Sequence, residues 1–314
     1  MRSRAYVVRG RRRRSRIKPL LTLLALLLAF VTLVAATSLV KADRLMKLAS
    51  YPLPPYATNM LPSFQSVSFS SGGGQINLKG WLIKPDKSLN RGTVIFVHNQ
   101  GGNRLPFGLD STALIKQLSK AGFYSLVFDL RHSGESGGEM ASFGYAEKED
   151  VLAAIDWAIR NVPSSPLILY GFGTGTTAIM RAFQELELES KQTDDEEDEE
   201  LAQMASQKLD RIAALIADSP ARNSDAFISA AIRQENRKLL FWLPEITPYA
   251  IRLSVGKSEK QDYFASLSSL SLPVMILGHT NDSYLKESDY RPLIDERLRL
   301  HPERTNTFLL PGTG

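Results

Sequence analysis

The sequence predicts an α/β domain, a mainly parallel sheet with helices on both faces, preceded by one transmembrane helix. Three observations carry this expectation. Buried-type, β-branched runs recur at Thr93–His98, Tyr124–Leu130, Leu167–Tyr170, Ile212–Ala217 and Val274–Leu277, with helical patterns between them. Strands that alternate with helices build parallel sheets covered on both faces. Four of these runs end in glycine-rich or polar loops, where open α/β sheets collect their chemistry. Ahead of them, Leu20 to Val40 is a run of 21 residues broken only by Thr22, Thr32, Thr37 and Ser38.

The 314 residues carry 38 Lys+Arg, 33 Asp+Glu, 43% apolar residues and no cysteine. This is enough apolar content for a buried core, and it excludes a disordered chain, a disulfide-stapled miniprotein and thiolate chemistry. The net charge of +5 is unevenly placed: residues 1–18 hold eight Arg and Lys18 with no acid, leaving the rest at −4. Residues 1–19 therefore read as a basic cytoplasmic tail and residues 20–40 as a signal anchor, since about 20 helical residues span roughly 30 Å. Arg11–Arg14, Arg16 and Lys18 stay cytoplasmic by the positive-inside rule, which places the main domain outside the cytoplasm. A cleaved signal peptide is the competing reading, with Val34-Ala35-Ala36 as its site, although such apolar regions ordinarily run about 7–15 residues. The arginines are accounted for as membrane flanks, so no nucleic acid is expected as a partner. Residues 41–63 read as a juxtamembrane linker, stiffened by Tyr51-Pro52-Leu53-Pro54-Pro55.

The folded domain is expected over residues 64–314. Phe64–Ser71 and Ile76–Lys84 alternate around Gly72-Gly73-Gly74 and predict a hairpin. Helices are expected around Leu109–Ala121, closed by Gly122, at Ala146–Arg160, and from about Thr176; a last strand begins at Thr307–Leu310. Residues 185–200 hold ten acids and one lysine and read as a solvated, mobile acidic insertion. Residues from about 221 to 271 read as a small helical lid, with a helix at Phe227–Leu240 followed by Phe241-Trp242-Leu243-Pro244. Phe241 and Trp242 either line an apolar pocket or pack the lid onto the body.

Four loops carry the chemistry. His98-Asn99-Gln100-Gly101-Gly102 follows the first buried strand and Asp129–Gly138 the second; the third runs into Gly171-Phe172-Gly173-Thr174-Gly175, and the fourth reaches Gly278-His279-Thr280-Asn281-Asp282. On these motifs the chain from about Phe64 onward resembles the α/β-hydrolase superfamily, in particular serine aminopeptidases and prolyl-oligopeptidase-like hydrolases. The resemblance implies an α/β-hydrolase fold with a nucleophile elbow at Gly171–Gly175. It also implies an oxyanion hole from Asn99, Gln100 and Thr174, a catalytic acid at Asp282, and a histidine about thirty residues later.

The departures from that pattern are informative. The family elbow reads Gly-x-Ser-x-Gly, and Gly173 stands where the serine belongs. Thr174 is expected to supply a backbone N–H and a helix start rather than a nucleophile. Pro311-Gly312-Thr313-Gly314 stands where the histidine loop is expected. Relatives cover the adjoining sheet face with a final helix, so either something else covers it here or the chain is a truncated product. Of the four histidines, His98 reads as structural, His132 and His301 as loop residues, and His279 as the remaining base candidate. Asn99 replaces a glycine of the pattern. Asp282 is either the vestigial acid or a cap for a helix from Tyr284 onward.

No cofactor and no metal are expected: there is no phosphate loop or metal cluster, and Gly171-x-Gly173-x-Gly175 lacks dinucleotide-binding spacing. The resulting expectation is a membrane-anchored relative of serine ester and peptide hydrolases, catalytically dead or impaired, with a small-molecule or peptide ligand. The alternatives are an active hydrolase in which His279 and Asp282 activate water, and an interaction protein using its acidic insertion.

Overall fold

Gly72, Gly73 and Gly74 have φ of 59°, 67° and 89°, a left-handed path that β-carbon sterics close to most residues. Here the chain folds strand β1 (Phe64–Ser71) back on β2 (Ile76–Ile83), Phe64 opposite Ile83 and Ser71 opposite Ile76. The computed structural model describes residues 17–86, 89–163, 166–192, 196–235, 240–256, 260 and 262–313. The first sixteen residues of the expected basic tail lie outside them.

Six further strands follow: β3 (Gly92–Val97), β4 (Phe123–Phe128), β5 (Leu167–Phe172), β6 (Ile212–Asp218), β7 (Val274–Asn281) and β8 (Thr305–Thr313). They form one sheet in the order β1-β2-β4-β3-β5-β6-β7-β8. β2 pairs antiparallel with β4, and every pairing from β4 to β8 is parallel. All six residues of β3 are buried, as its unbroken apolar run requires. Its alternate side chains serve two cores: Ile95 and Val97 join Leu78, Leu126, Leu169 and Leu215, whereas Val94 and Phe96 join Ile83, Ile115 and Val127.

The helices are α1 (Ile17–Met46), α2 (Ala57–Met60), α3 (Asp110–Ala121), α4 (Lys148–Asn161) and α5 (Thr174–Glu189). They continue with α6 (Glu196–Arg211), α7 (Ser224–Gln234), α8 (Leu243–Ser254), α9 (Phe264–Ser269) and α10 (Glu287–Leu300). Gly122 closes α3 with φ 92° and donates its N–H to the helix's last carbonyls, the left-handed cap that glycine permits.

Three expectations change. The linker does not begin as extended chain: α1 runs six residues past Val40, and Ala42, Leu45 and Met46 enter the main core. Beyond it the chain is stitched to the domain, with the Tyr51 N–H on Gly101 O at 2.8 Å and Asn103 Nδ2 donating to Tyr51 O at 3.0 Å. The acidic stretch is helical where it is described, apart from residues 190–192. Glu185–Glu189 ends α5, and four acids open α6, where the positive end of the helix dipole favours negative charge. The lid helix spans Ser224–Gln234 and starts at Asn223, whose side chain caps the Ala226 N–H at 2.9 Å.

Candidate functional site

Chain geometry makes the elbow before any side chain does. Between β5 and α5, Gly173 has φ 49° and ψ −115°. It is held by its N–H on Asp218 O at 2.9 Å and by its carbonyl accepting the Thr176 N–H at 3.0 Å. The flanking glycines are demanded by packing. A Cβ at Gly175 would lie 2.1 Å from Val97 O, and one at Gly171 2.7 Å from Thr176 Cα. At Gly173 a Cβ would meet only Asn99 Cβ at 3.4 Å and the Phe227 ring at 3.7 Å. The middle position therefore has room for a side chain and carries none.

The loop after β3 is tied inward. The Gln100 N–H donates to Thr174 Oγ1 at 2.6 Å, so a hydroxyl of the same chain occupies the donor that the resemblance assigns to an oxyanion. The Gln100 side chain accepts the Phe143 N–H at 3.0 Å and donates to Leu45 O at 3.3 Å, fastening this loop to α1. His98 lies beneath, 1% exposed. Its Nε2 accepts the Leu130 N–H at 2.9 Å and its Nδ1 lies 2.8 Å from Asn99 O, a pattern that fits the neutral ring with its proton on Nδ1. Burial pushes its pKa down. His98 is structural in this setting.

The loop after β4 is a clasp. Asp129, fully buried, accepts the backbone N–H groups of Arg104 at 2.7 Å and Glu135 at 2.9 Å, and Nε of Arg104 at 3.1 Å. His132 has φ 57°, a left-handed backbone uncommon for a residue that carries a side chain.

At the far strand ends, Asp282 Oδ1 accepts the N–H groups of Tyr284 at 2.7 Å and Leu285 at 2.8 Å. It acts as a local cap while still facing the cavity. His279 lies on the extension of β7, four residues longer than the run read from the sequence. Its electrostatic neighbour is Asp218, the last residue of β6, which pairs in register with Leu277. Burial raises the Asp218 pKa; the Ser219 hydroxyl at 3.0 Å and His279 oppose that rise. Sequence reasoning missed Asp218, although it too stands at the carboxyl end of a parallel strand, ahead of Ser219-Pro220.

These groups share one cavity of about 670 Å³, lined by Asn99, Gln100, Gly173, Thr174, Asp218, His279 and Asp282. Its apolar walls include Phe107, Phe143, Phe172, Phe227, Tyr284 and Leu48. His301 and His132 lie outside it. Phe241 and Trp242 do not line it either: Phe241 is 74% exposed and Trp242 packs on α1. A smaller hollow of about 470 Å³, lined by Asp156, Arg160, Lys208 and Arg211 among others, lies away from the strand ends. Among the described residues no group of three or more His, Asp or Glu could hold a metal ion.

One antiparallel start, a crossover to a parallel sheet, a left-handed turn between β5 and α5, and an acid after β7 together decide the architecture. The chain has the α/β-hydrolase fold. The family profile described as X-Pro dipeptidyl-peptidase (S15 family) matches residues 73–182, which run from the first hairpin into the elbow helix. Among solved structures, the esterase Pf2001 of Pyrococcus furiosus is similar at 20% identity and TM-score 0.61, over 85% of this chain and 90% of that one. The acylaminoacyl peptidase of Pyrococcus horikoshii is similar at 14% identity and TM-score 0.52, over 82% of this chain and 39% of that one. No curated protein matches the sequence.

Within this hydrolase fold, Asp218 carries a pH dependence whose sign can be worked out. Its folded pKa lies above its unfolded value, so the folded state binds more proton between the two. Stability falls as pH rises from about 4, the unfolded carboxylate value, through the folded pKa. Asp218→Asn should therefore melt higher than the parent at pH 7, with the difference closing towards pH 4. A difference independent of pH in thermal melts would remove this account.

Proposed function

We propose that this is a membrane-anchored α/β-hydrolase-fold protein that binds an ester, amide or small peptide ligand without cleaving it by the serine route. Gly173 carries the reading. The elbow keeps its left-handed backbone and has space for a side chain, and acyl transfer lacks its nucleophile there. The Thr174 hydroxyl on the Gln100 N–H adds support, because it takes up a donor that electrostatic catalysis needs to be free. The ligand class follows from the cavity, apolar in its walls with a few converging polar groups, and from the hydrolytic names of the similar proteins.

The anchor is α1. Lys18–Met46 has a mean hydropathy of 2.6 in its best window, and 6% of that window is buried. The basic residues before it favour an N-terminus in the cytoplasm and a domain outside, by the positive-inside rule. A signal sequence passes the same test of length and composition; the packing of Ala42, Leu45 and Met46 into the core favours a helix retained with its domain.

The full chain in detergent should not turn over p-nitrophenyl esters and should not take a fluorophosphonate probe. Turnover blocked by that probe would overturn the reading. Turnover that resists the probe and disappears in His279→Ala would replace it with water activation, a reading favoured by Asp218 standing beside His279.

A further inference from the structure

The lid and the anchor are not separate parts. The Trp242 ring packs edge-on against Phe30 with centroids 5.9 Å apart, and its Nε1–H donates to Thr37 Oγ1 at 3.1 Å. Lys41 forms an ion pair with Glu235 at the end of α7. Val34, Thr37, Ser38, Lys41, Ala42, Leu45 and Met46, the described residues of α1 withdrawn from solvent, recur every three or four positions and so lie on one face of the helix. The domain is packed along the last third or more of α1 rather than hanging from its end.

Charge sets the level of this contact. Between Lys18 and Lys41 α1 carries no charged residue, and Lys41, Asp43 and Arg44 then follow closely. A helix whose apolar stretch just spans the hydrocarbon puts those charges at the outer interface. Thr37 lies four residues before Lys41 and Phe30 eleven, so at a rise of about 1.5 Å per residue they sit roughly 6 Å and 16 Å below that plane. Trp242 touches both. The adjacent Phe241 ring, 5.3 Å from that of Trp242 and 74% exposed, is carried to the same depth. A phenylalanine so exposed beside a tryptophan is an apolar patch that water does not favour and acyl chains do.

The geometry points to the tip of the lid, Phe241 and Trp242, seated in the acyl-chain region of the outer leaflet beside α1, its partner being the bilayer itself. This rests on the anchor reading above. Exposed Glu245, three residues on in α8, confines the insertion to the tip, because a carboxylate belongs at or above the interface. With the tip held in lipid and α7 tied to Lys41, the Phe227 wall of the cavity is braced against the membrane rather than free to swing.

The absence of cysteine makes the test direct. Phe241→Cys and, as reference, Leu188→Cys, 71% exposed on α5, are labelled singly with an environment-sensitive fluorophore in the full chain. Each is then reconstituted into phosphatidylcholine vesicles with or without brominated acyl chains. Both substitutions are of exposed side chains, and unchanged melting of the labelled proteins checks that the fold is kept. At position 241 the emission should be blue-shifted and quenched at least twofold by bromine; at 188 it should be neither. An aqueous signal at 241 from protein that co-floats with the vesicles overturns the insertion and leaves the anchor standing. Protein that does not co-float overturns the anchor, and the insertion with it. Equal quenching at both positions overturns the depth assigned to the tip.

Discussion

Asp129→Ala is expected to cost about 3–5 kcal/mol of stability, the range for breaking a buried ion pair by removing one partner. The magnitude follows from what would be left behind. Arg104 is 1% exposed, so its guanidinium could reach no bulk water, and its remaining acidic partner is Glu135, at 2.7 Å and largely exposed. The backbone N–H groups of Arg104 and Glu135 would lose their acceptor as well. A protein of this size loses roughly 2–4 °C of melting temperature per kcal/mol, so a fall on the order of 10 °C is expected in calorimetry. A fall of a degree or two would show that the clasp after β4 is not structural.

The elbow glycines should separate sharply. Gly175→Ala would place a methyl group 2.1 Å from Val97 O. The obstacle is backbone of a central strand, so either β3 or α5 must move, and overpacking of that kind costs about 1–3 kcal/mol or more. The expected outcome is failure to accumulate as folded protein. In Gly173→Ser the Cβ meets no atom closer than 3.4 Å, which leaves the strain of its positive φ, about 1–3 kcal/mol, as the main cost. The serine variant should fold and melt several degrees lower. If the two variants melt alike, the packing argument for Gly175 is wrong. The contrast also bears on the proposed function, because room for a Cβ at position 173 means that packing does not force a glycine there.

The strands were legible because each is an apolar β-branched run ended by turn residues, and the elbow because glycines stand on both sides of Gly173. Asn99, Gln100, Thr174, His279 and Asp282 were legible as strand-end residues, and the structure brings all of them to one cavity with Gly173. What was not legible depended on contacts between distant segments. Nothing in a linear reading shows the Thr174 hydroxyl on the Gln100 N–H, 74 residues apart. Asp218 was missed because its strand end has no glycine motif, and only the pairing of β6 with β7 sets it beside His279. The acidic run was read from charge repulsion alone, which overlooks how well acids suit the first turn of a helix. The linker was read from its prolines, which cannot show that α1 continues into the core.

The sequence by itself determined the α/β class, the order of the strands along the chain, an apolar helix long enough to cross a bilayer, and the run of glycines at positions 171, 173 and 175. Those are local properties of hydrophobic period, length and residue identity. Only the tertiary structure decided that the expected oxyanion donor is already bonded, that Asp218 is the neighbour of His279, and that Trp242 packs on α1 while Phe227 walls the cavity. These are matters of which strand pairs with which and which face meets which, and they arise only when segments tens to hundreds of residues apart exclude water from one another.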